Sequence, residues 1–373
     1  MARIRFLLKR LGKPLSRMKD MQDIFRSSEK IAPVFSLKFL RSLGRGIRLC
    51  FKDGYIPEDS FRFGLFDPDM PRSELTRFMS KKKMTDFQKR LNPSSWSRLT
   101  EDKSLFYLCF KGLGIPMPEL YAVYFKETPG LSWDGAHLET REGWIKYILI
   151  NLPAEFVIKP CRGAFGRKVK IFLRKGREFR EASGKIYAAE DIYNLMRDDE
   201  EYDRFIIQER LGNHAEIRSL TEMDFLQTIR MVTFTNRRGE RHILLAAMRF
   251  LSGDNFIDNF FSGGSGNMIA PVCVETGVLD AAKARKGAEG PFVDVAVHPR
   301  TNQMIQGFRI PLWEQCCKLV LEASGKLPPI RTIGWDVAVT EKGPVIVEGN
   351  MWWNPANIYA DMGALMQRMR EWE

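Results

Sequence analysis

The residues best suited to chemistry stand near the end of the chain, in the string IGWDVAVTEKGPVIVEGN from Ile333 to Asn350. Two apolar runs flank Glu341-Lys342-Gly343-Pro344, a turn signal. If they pair about a turn centred near Lys342, Asp336 falls opposite Glu348. Side chains opposite one another in an antiparallel pair share a face, about 4.5–5.5 Å apart. Asn350 shares that face with Glu348, because strand side chains alternate. A bulge at Gly343 would slip the register by one residue. Two carboxylates so close repel each other, and a shared divalent cation would reconcile them. Magnesium takes oxygen ligands, usually one or two carboxylates plus substrate phosphates, and an asparagine carbonyl suits the same set. Val345, Ile346 and Val347 argue for a buried strand, where a charge is paired or bound to metal. A polar, solvent-facing side of a hairpin is the competing reading.

A second group could hold phosphate. FVIKP (156–160) reads as a strand carrying Lys159, followed by the loop CRGAFGR (161–167) with Gly163 and Gly166. Glycines let backbone N–H groups approach an anion closely. Arg162, Arg167, Lys168 and Lys170 add positive charge. This is not a Walker P-loop, since G-x-x-x-x-G-K-[ST] is missing and a strand, Lys168–Leu173, is expected to follow. A plain hairpin turn would give the same glycines. Arg230 and Arg249 form a third group, each set in an apolar run where an unpaired guanidinium is costly. A substrate carboxylate, a phosphate or a protein carboxylate would satisfy them.

These groups need elements to hold them. LTEDKSLFYLCFKGLGIPMPELYAVYF, from Leu99, reads as a helix, a Gly-Leu-Gly stop and a Pro-flanked strand. A helix is expected around Glu142–Leu149 and another over Leu312–Ala323. RFIIQE (204–209) reads as a strand; TIRMVTFT and HILLAAMRFL read as a hairpin joined by NRRGE. Asp254–Gly277, rich in Gly and Asn, reads as loop.

Composition bounds the rest. With 373 residues, 44% hydrophobic and 28% charged, the chain has the make-up of a globular protein of two domains or several lobes. No run of about 18 apolar residues suggests a membrane span. The basic start MARIRFLLKRLGKPL lacks the apolar stretch and cleavage site of a signal peptide. Six cysteines, at 50, 109, 161, 273, 316 and 317, form no C-x-x-C pair, and four histidines (137, 214, 242, 298) lack metal-ligand spacing. Reduced thiols and a cytoplasmic location are expected. The net charge is +12, and Met1–Lys52 hold 14 Lys/Arg against 3 Asp/Glu, so nearly all of it lies there. Ile4, Leu7, Leu8 and Leu11 recur at helical spacing in that stretch, which fits either a peripheral contact with anionic lipid at the inner face of the membrane or a helix packed on the body. Nucleic acid is not an expected partner, because a nucleic-acid-binding globule carries its basic surface on the folded body. Arg72–Arg77 and Lys81–Lys83 read as solvated faces.

In order, these parts resemble the ATP-grasp superfamily: a lysine strand, a glycine flap, a hinge strand ending in an acidic residue, and a hairpin with Asp and Glu-x-Asn. The strings NHAEI (213–217), TIRMVTF (228–234), DNFFSGG (258–264), VHPRTNQMIQGFRIP (297–311) and IGWDVAVT…GPVIVEGN (333–350) are similar to its sugar-transfer-associated branch, over roughly Leu99–Pro355. One departure is the flap, GAFG with Phe165 in place of a run of small residues.

The resemblance implies an α/β (α+β) ATP-grasp fold, two lobes with antiparallel sheets clamping ATP, after a basic helical N-terminal extension. The implied boundaries are 1–98 for the extension, 99–154 for a pre-ATP-grasp region, 155–211 for the small lobe with flap and hinge, and 212–373 for the large lobe. It implies Lys159 at the α/β-phosphates, with Gly163, Gly166 and Lys168 in the flap. The hinge Ile206–Leu211 would bracket adenine through Gln208, Glu209, Arg210 and Leu211. Asp336, Glu348 and Asn350 would hold Mg2+. His214, Asn259 and His298 match family positions without an assigned role; His214 is grouped with the nucleotide-binding residues. The implied reaction is ADP-forming carboxylate–amine ligation through an acylphosphate steadied by Arg230 and Arg249, with a carboxylate and an amine, small or sugar-linked, as substrates in surface polysaccharide or sugar-conjugate biosynthesis. An ATP-grasp phosphotransferase, and a non-enzymatic protein binding membrane or nucleic acid, are the alternatives.

Overall fold

Pro57 and Pro71 mark the starts of two short helices in the N-terminal third. The computed structural model describes residues 15–136, 138–163, 166–251, 266–287 and 292–373. The pattern over Ile4–Leu11, Phe165 of the flap and the string 258–264 with Asn259 lie outside them. Helices α1 (Leu15–Ile31), α2 (Leu37–Ile47), α3 (Pro57–Arg62), α4 (Arg72–Leu75) and α5 (Lys81–Leu91) come first. Pro57 sits in the first turn of α3, where its missing N–H costs nothing. Ser36 caps α2 by accepting from Phe39 N at 3.1 Å. Ile24, Leu49, Leu65 and Phe66 form the core of this unit. Gly46 allows the close packing, since a Cβ there would lie 2.7 Å from Ile24 Cγ2.

The chain forms two compact units, and they divide it differently from the expected boundaries. Residues 283–294 and 352–373 join 1–91 in the first unit. Phe292 stacks on Phe63 with ring centroids 6.0 Å apart, and the Asn357 amide bonds Met79 N and O at 2.9 and 2.8 Å. The last helix (Met362–Trp372) therefore belongs with the N-terminal helices and not with the large lobe.

The second unit, residues 92–282 and 295–351, holds both expected sheets. It opens with α6 (Ser97–Glu101) and α7 (Lys103–Gly112), then β1 (Leu120–Phe125), β2 (Leu131–Ser132), α8 (Arg141–Ile150), β3 (Glu155–Pro160), β4 (Lys170–Lys175), β5 (Glu178–Glu181), β6 (Ile186–Tyr187), α9 (Ala189–Arg197) and β7 (Arg204–Glu209). These strands make one sheet in the order β2-β1-β7-β3-β4-β5-β6, every neighbouring pair antiparallel. Residues 99–154 thus supply two strands to the same sheet as 155–211. Alternation splits the sheet's faces. Phe156, Ile158, Phe205 and Ile207 pack in one core with Trp144, Ile148, Ile192 and Met196 of α8 and α9. Val157, Lys159, Ile206 and Gln208 point the other way.

After α10 (Ala215–Thr221) come β8 (Thr228–Thr235), β9 (Arg241–Phe250) and β10 (Met268–Val272). Strands β11 (Ala282–Arg285) and β12 (Phe292–Val295) follow, then α11 (Trp313–Gly325), β13 (Thr332–Thr340) and β14 (Gly343–Asn350). Within this unit the second sheet runs β10-β9-β8-β13-β14. The MIAPV run of β10 corrects the reading of 254–277 as loop throughout. It is too short to stand out beside a Gly/Asn-rich stretch, and its partner β9 makes it a strand. Every residue of β13 is buried, and α11 packs across the sheet.

Candidate active site

Asp336, Glu348 and Asn350 stand where the hairpin argument puts them, for a different local reason. The turn is tighter than expected: Thr340 pairs with Gly343, leaving only Glu341 and Lys342 as loop. A two-residue loop alone would set Asp336 opposite Val347. A bulge next to Asp336 pairs Val337 with Ile346, leaves Val347 over and restores Asp336 opposite Glu348. The slip in register thus falls at Val347, four residues along the strand from Gly343. Gly334 pairs with Asn350, so all three oxygen-bearing side chains line one face of β13 and β14.

On its other side β13 pairs with β8, and Asp336 falls opposite Arg230. The Arg230 guanidinium grips Asp336 with Nε at 2.6 Å from Oδ1 and Nη2 at 3.2 Å from Oδ2. Arg249 Nη2 lies 3.2 Å from Oδ1, and its Nη1 donates to Thr228 Oγ1 at 3.3 Å. Burial alone would raise the Asp336 pKa; Arg230 and Arg249 outweigh it and hold the carboxyl below its ordinary value. Of the partners open to the two arginines, the structure selects a protein carboxylate. Their expected role on an acylphosphate requires them to share Asp336 or release it.

Lys159 comes from the inner face of the first sheet. It is buried, with Nζ 3.4 Å from the Tyr107 hydroxyl and 5.4 Å from that ring's centroid. The same hydroxyl donates to Val347 O, on the residue that the bulge leaves without a partner on β13, at 3.4 Å. One tyrosine therefore links the lysine strand of one sheet to the acidic hairpin of the other. Burial, then the nearby Lys103 ammonium, pulls the Lys159 pKa down to about 7, against a smaller opposing pull from Glu348, Cys161 and Asp336. Burial also raises the Tyr107 pKa, with Glu348 adding to it.

Sequence reasoning missed Lys103 and Tyr107. Both lie on α7, whose N-cap Asp102 accepts from Ser104 N at 3.1 Å. Lys103 Nζ is 3.6 Å from Glu348 Oε1 and 3.0 Å from the carbonyl of Gly163, so it joins the acidic hairpin to the glycine loop. Asp102 itself takes Arg204 at 3.0 Å and Arg162 of the loop at 3.4 Å. A usable signal was present: an Asp N-cap, then Lys and Tyr four residues apart on one helix face, with apolar residues between.

The remaining expected residues are distributed unevenly. Gly163 has φ of 150° and Gly166 of 69°, left-handed backbone that favours glycine. Lys168 also has positive φ, and its ammonium is held by Asp199 at 2.7 and 2.8 Å over the Tyr202 ring, on the surface. Gln208 is buried beside Val157, and its Oε1 has no hydrogen-bond partner among the described residues. Glu209 Oε2 accepts from Glu119 N at 3.0 Å, and Arg210 pairs with Glu155 at 2.8 Å. Leu211 is buried. His214 is the N-cap of α10: its ring Nδ1 accepts from Glu216 N at 3.3 Å, and its backbone N–H donates to Val339 O at 2.7 Å. His298 lies buried between Leu251 O and Thr301 Oγ1.

The donor chemistry of the hairpin suits magnesium. Two carboxylates and an amide share one face, and an ionised carboxylate has about four acceptor positions, so Asp336 retains capacity beside its arginines. Among the described residues no group of three or more His, Cys, Asp or Glu gathers as for an all-protein metal cage. A cation here would need further oxygens, such as those of a phosphate.

Two antiparallel sheets in one unit, a buried lysine on one and an acidic hairpin on the other, make this an ATP-grasp fold. The chain belongs to the sugar-transfer associated ATP-grasp family, whose sequence pattern matches residues 82–372. That match takes in α5 and the last helix, beyond the stretch legible from motifs alone. Solved structures similar to it include an L-amino acid ligase from Bacillus licheniformis, with 10% identity and a TM-score of 0.37, covering 68% of this chain and 41% of that one. A D-alanine–D-alanine ligase from Bacillus anthracis complexed with ATP has 15% identity and a TM-score of 0.39, covering 73% and 65%. The D-alanine–D-alanine ligase from Helicobacter pylori has 13% identity and a TM-score of 0.37, covering 73% and 61%. The chain thus spans less than half the length of the first of these. No curated protein matches its sequence.

Proposed function

We propose that the protein is an ATP-dependent, ADP-forming ligase that joins a carboxylate to an amine, with one partner carried on a sugar. The observation that carries this is the bridge across the two sheets. Lys159 and Val347 meet at one tyrosine hydroxyl, and Lys103 reaches both Glu348 and the glycine loop. Cationic and anionic groups thus converge as a nucleoside triphosphate with its metal would require. Lys159 and Lys103 would take phosphate oxygens, and the glycine loop would cover them with backbone N–H groups. Gln208 Oε1 and the backbone at Arg210 and Leu211 would meet the base. The side chains of Glu209 and Arg210 are already engaged, so they would shape the hinge more than touch adenine.

Asp336, Glu348 and Asn350 would hold magnesium, which when bound neutralises and orients phosphate oxygens. In the proposed reaction a carboxylate oxygen attacks the γ-phosphorus and ADP departs. The amine nitrogen then attacks the acyl carbon, phosphate leaves, and the nitrogen loses its proton. Arg230 and Arg249 would balance the negative charge that gathers beside Asp336 during transfer. A cytoplasmic place of work belongs to the same proposal, supported by free thiols at all six cysteines.

The test is ADP release against a panel of amino acids with sugar-nucleotide or lipid-linked acceptors, with the products analysed. A new amide beside ADP supports ligation. A stable phosphorylated acceptor would replace it with phosphotransfer, and nucleotide-independent behaviour across the panel would end the enzymatic reading.

A further inference from the structure

The N-terminal unit carries an apolar surface that its own core does not explain. Val34, Phe35, Leu37 and Leu40 are 41, 81, 75 and 50% exposed. They stand together on the turn before α2 and along its outer face, opposite the buried Phe39, Ser42 and Gly46. Scattered exposed leucines are ordinary; four large apolar residues within seven positions are not. The turn is also strained. Phe35 has φ of 66°, a conformation that a bulky aromatic rarely adopts and that Gly or Asn would take easily. The turn is nonetheless fixed, by Ser36 N donating to Pro33 O at 3.0 Å and by the edge of Phe39, 6.3 Å from the Phe35 ring. A fold that holds an aromatic ring in water at a backbone cost is displaying it.

Charge indicates what covers this surface. Lys38 and Arg41 flank it but are shared with Asp67 and Asp69. Arg48 and Lys52 lie exposed beyond them, and residues 1–14 add five Lys/Arg and no Asp/Glu. A second copy of the chain would set two basic surfaces against each other. A bilayer with anionic headgroups offers apolar depth and negative charge together. No helix among the described residues is long and apolar enough to cross a membrane, so the contact is with the surface. We propose that Val34, Phe35, Leu37 and Leu40 insert into the interfacial layer of an anionic bilayer, with Arg48 and Lys52 on the headgroups. This holds whichever substrate the active site takes.

The experiment is co-sedimentation of the full chain with phosphatidylcholine vesicles, with and without phosphatidylglycerol. The comparison is the triple variant Phe35→Asn/Leu37→Gln/Leu40→Gln, whose Asn suits the left-handed turn. Wild type should bind only the vesicles containing phosphatidylglycerol, and less as salt rises. The triple variant should lose at least about tenfold in partitioning, while ADP release without lipid stays unchanged. As a second readout, Phe35→Trp should gain fluorescence that bromine-labelled acyl chains quench. Equal partitioning of wild type and triple variant, or no quenching, overturns insertion in favour of charge alone. No vesicle binding by wild type, with self-association or an acidic protein partner lost in the triple variant, overturns the lipid assignment.

Discussion

Lys159 allows the proposed site to be tested without knowing the substrate. In the ligand-free protein its pKa stands at about 7, pulled down by burial and by Lys103. A triphosphate placed against it favours the charged form and returns the pKa toward its ordinary value of about 10.4. Binding should therefore take up protons. At pH 8 about nine-tenths of the lysine is neutral before binding, so uptake approaches one proton; at pH 7 it is about half, and at pH 6 about one-tenth. Above pH 7 the affinity should fall by up to tenfold, about 1.4 kcal/mol, per pH unit until the pKa of the complex is reached. Calorimetry of a non-hydrolysable ATP analogue with magnesium, in buffers of different ionisation enthalpy, measures the uptake. Lys159→Arg should remove the uptake and its pH dependence, because guanidinium keeps its proton. Lys159→Met should remove the uptake and weaken binding. Uptake that persists unchanged in both variants would assign the proton elsewhere and sink the argument that Lys159 meets phosphate.

Further tests address the surrounding framework. Arg230→Met leaves the buried Asp336 carboxylate short of its bidentate partner and should cost about 3–5 kcal/mol in urea unfolding; a loss under 1 kcal/mol would mean that Arg249 alone suffices. The low Asp336 pKa also gives a pH signature: the stability it contributes is complete above about pH 4, the unfolded value, and lost as pH falls through the lower folded value, so Asp336→Asn should flatten the acid limb of the stability curve. Lys159→Ala and Glu348→Gln should each lower turnover by about 10²–10³ or more, and near-wild-type rates in both would reject the site. Gly349→Ala puts a Cβ 2.8 Å from the Phe106 ring on α7, the helix that carries Lys103 and Tyr107. It should cost about 1–3 kcal/mol, and unaltered melting would show that α7 shifts freely.

The sequence by itself determined the strands that bear the functional residues, because their apolar alternation and turn chemistry are local. FVIKP, RFIIQE, TIRMVTFT and the closing hairpin occupy the spans read from pattern, and Asp336 faces Glu348, the partner expected of it. The family, too, was legible, since its motifs are contiguous strings. Tertiary structure decided what depends on partners distant in sequence. Neither arginine run names its acceptor; the pairing of β8 with β13 delivers Arg230 to Asp336, and the pairing of β9 with β8 brings Arg249 alongside. The hairpin could close in two registers, and the bulge at Val347, whose carbonyl takes the Tyr107 hydroxyl, accompanies the one it adopts. Lys103 looks like any helical lysine until α7 is laid between the glycine loop and Glu348. Burial makes the largest difference, because it turns an ordinary lysine into one that titrates near neutrality, and desolvation is a property of the packed molecule that a single strand does not possess.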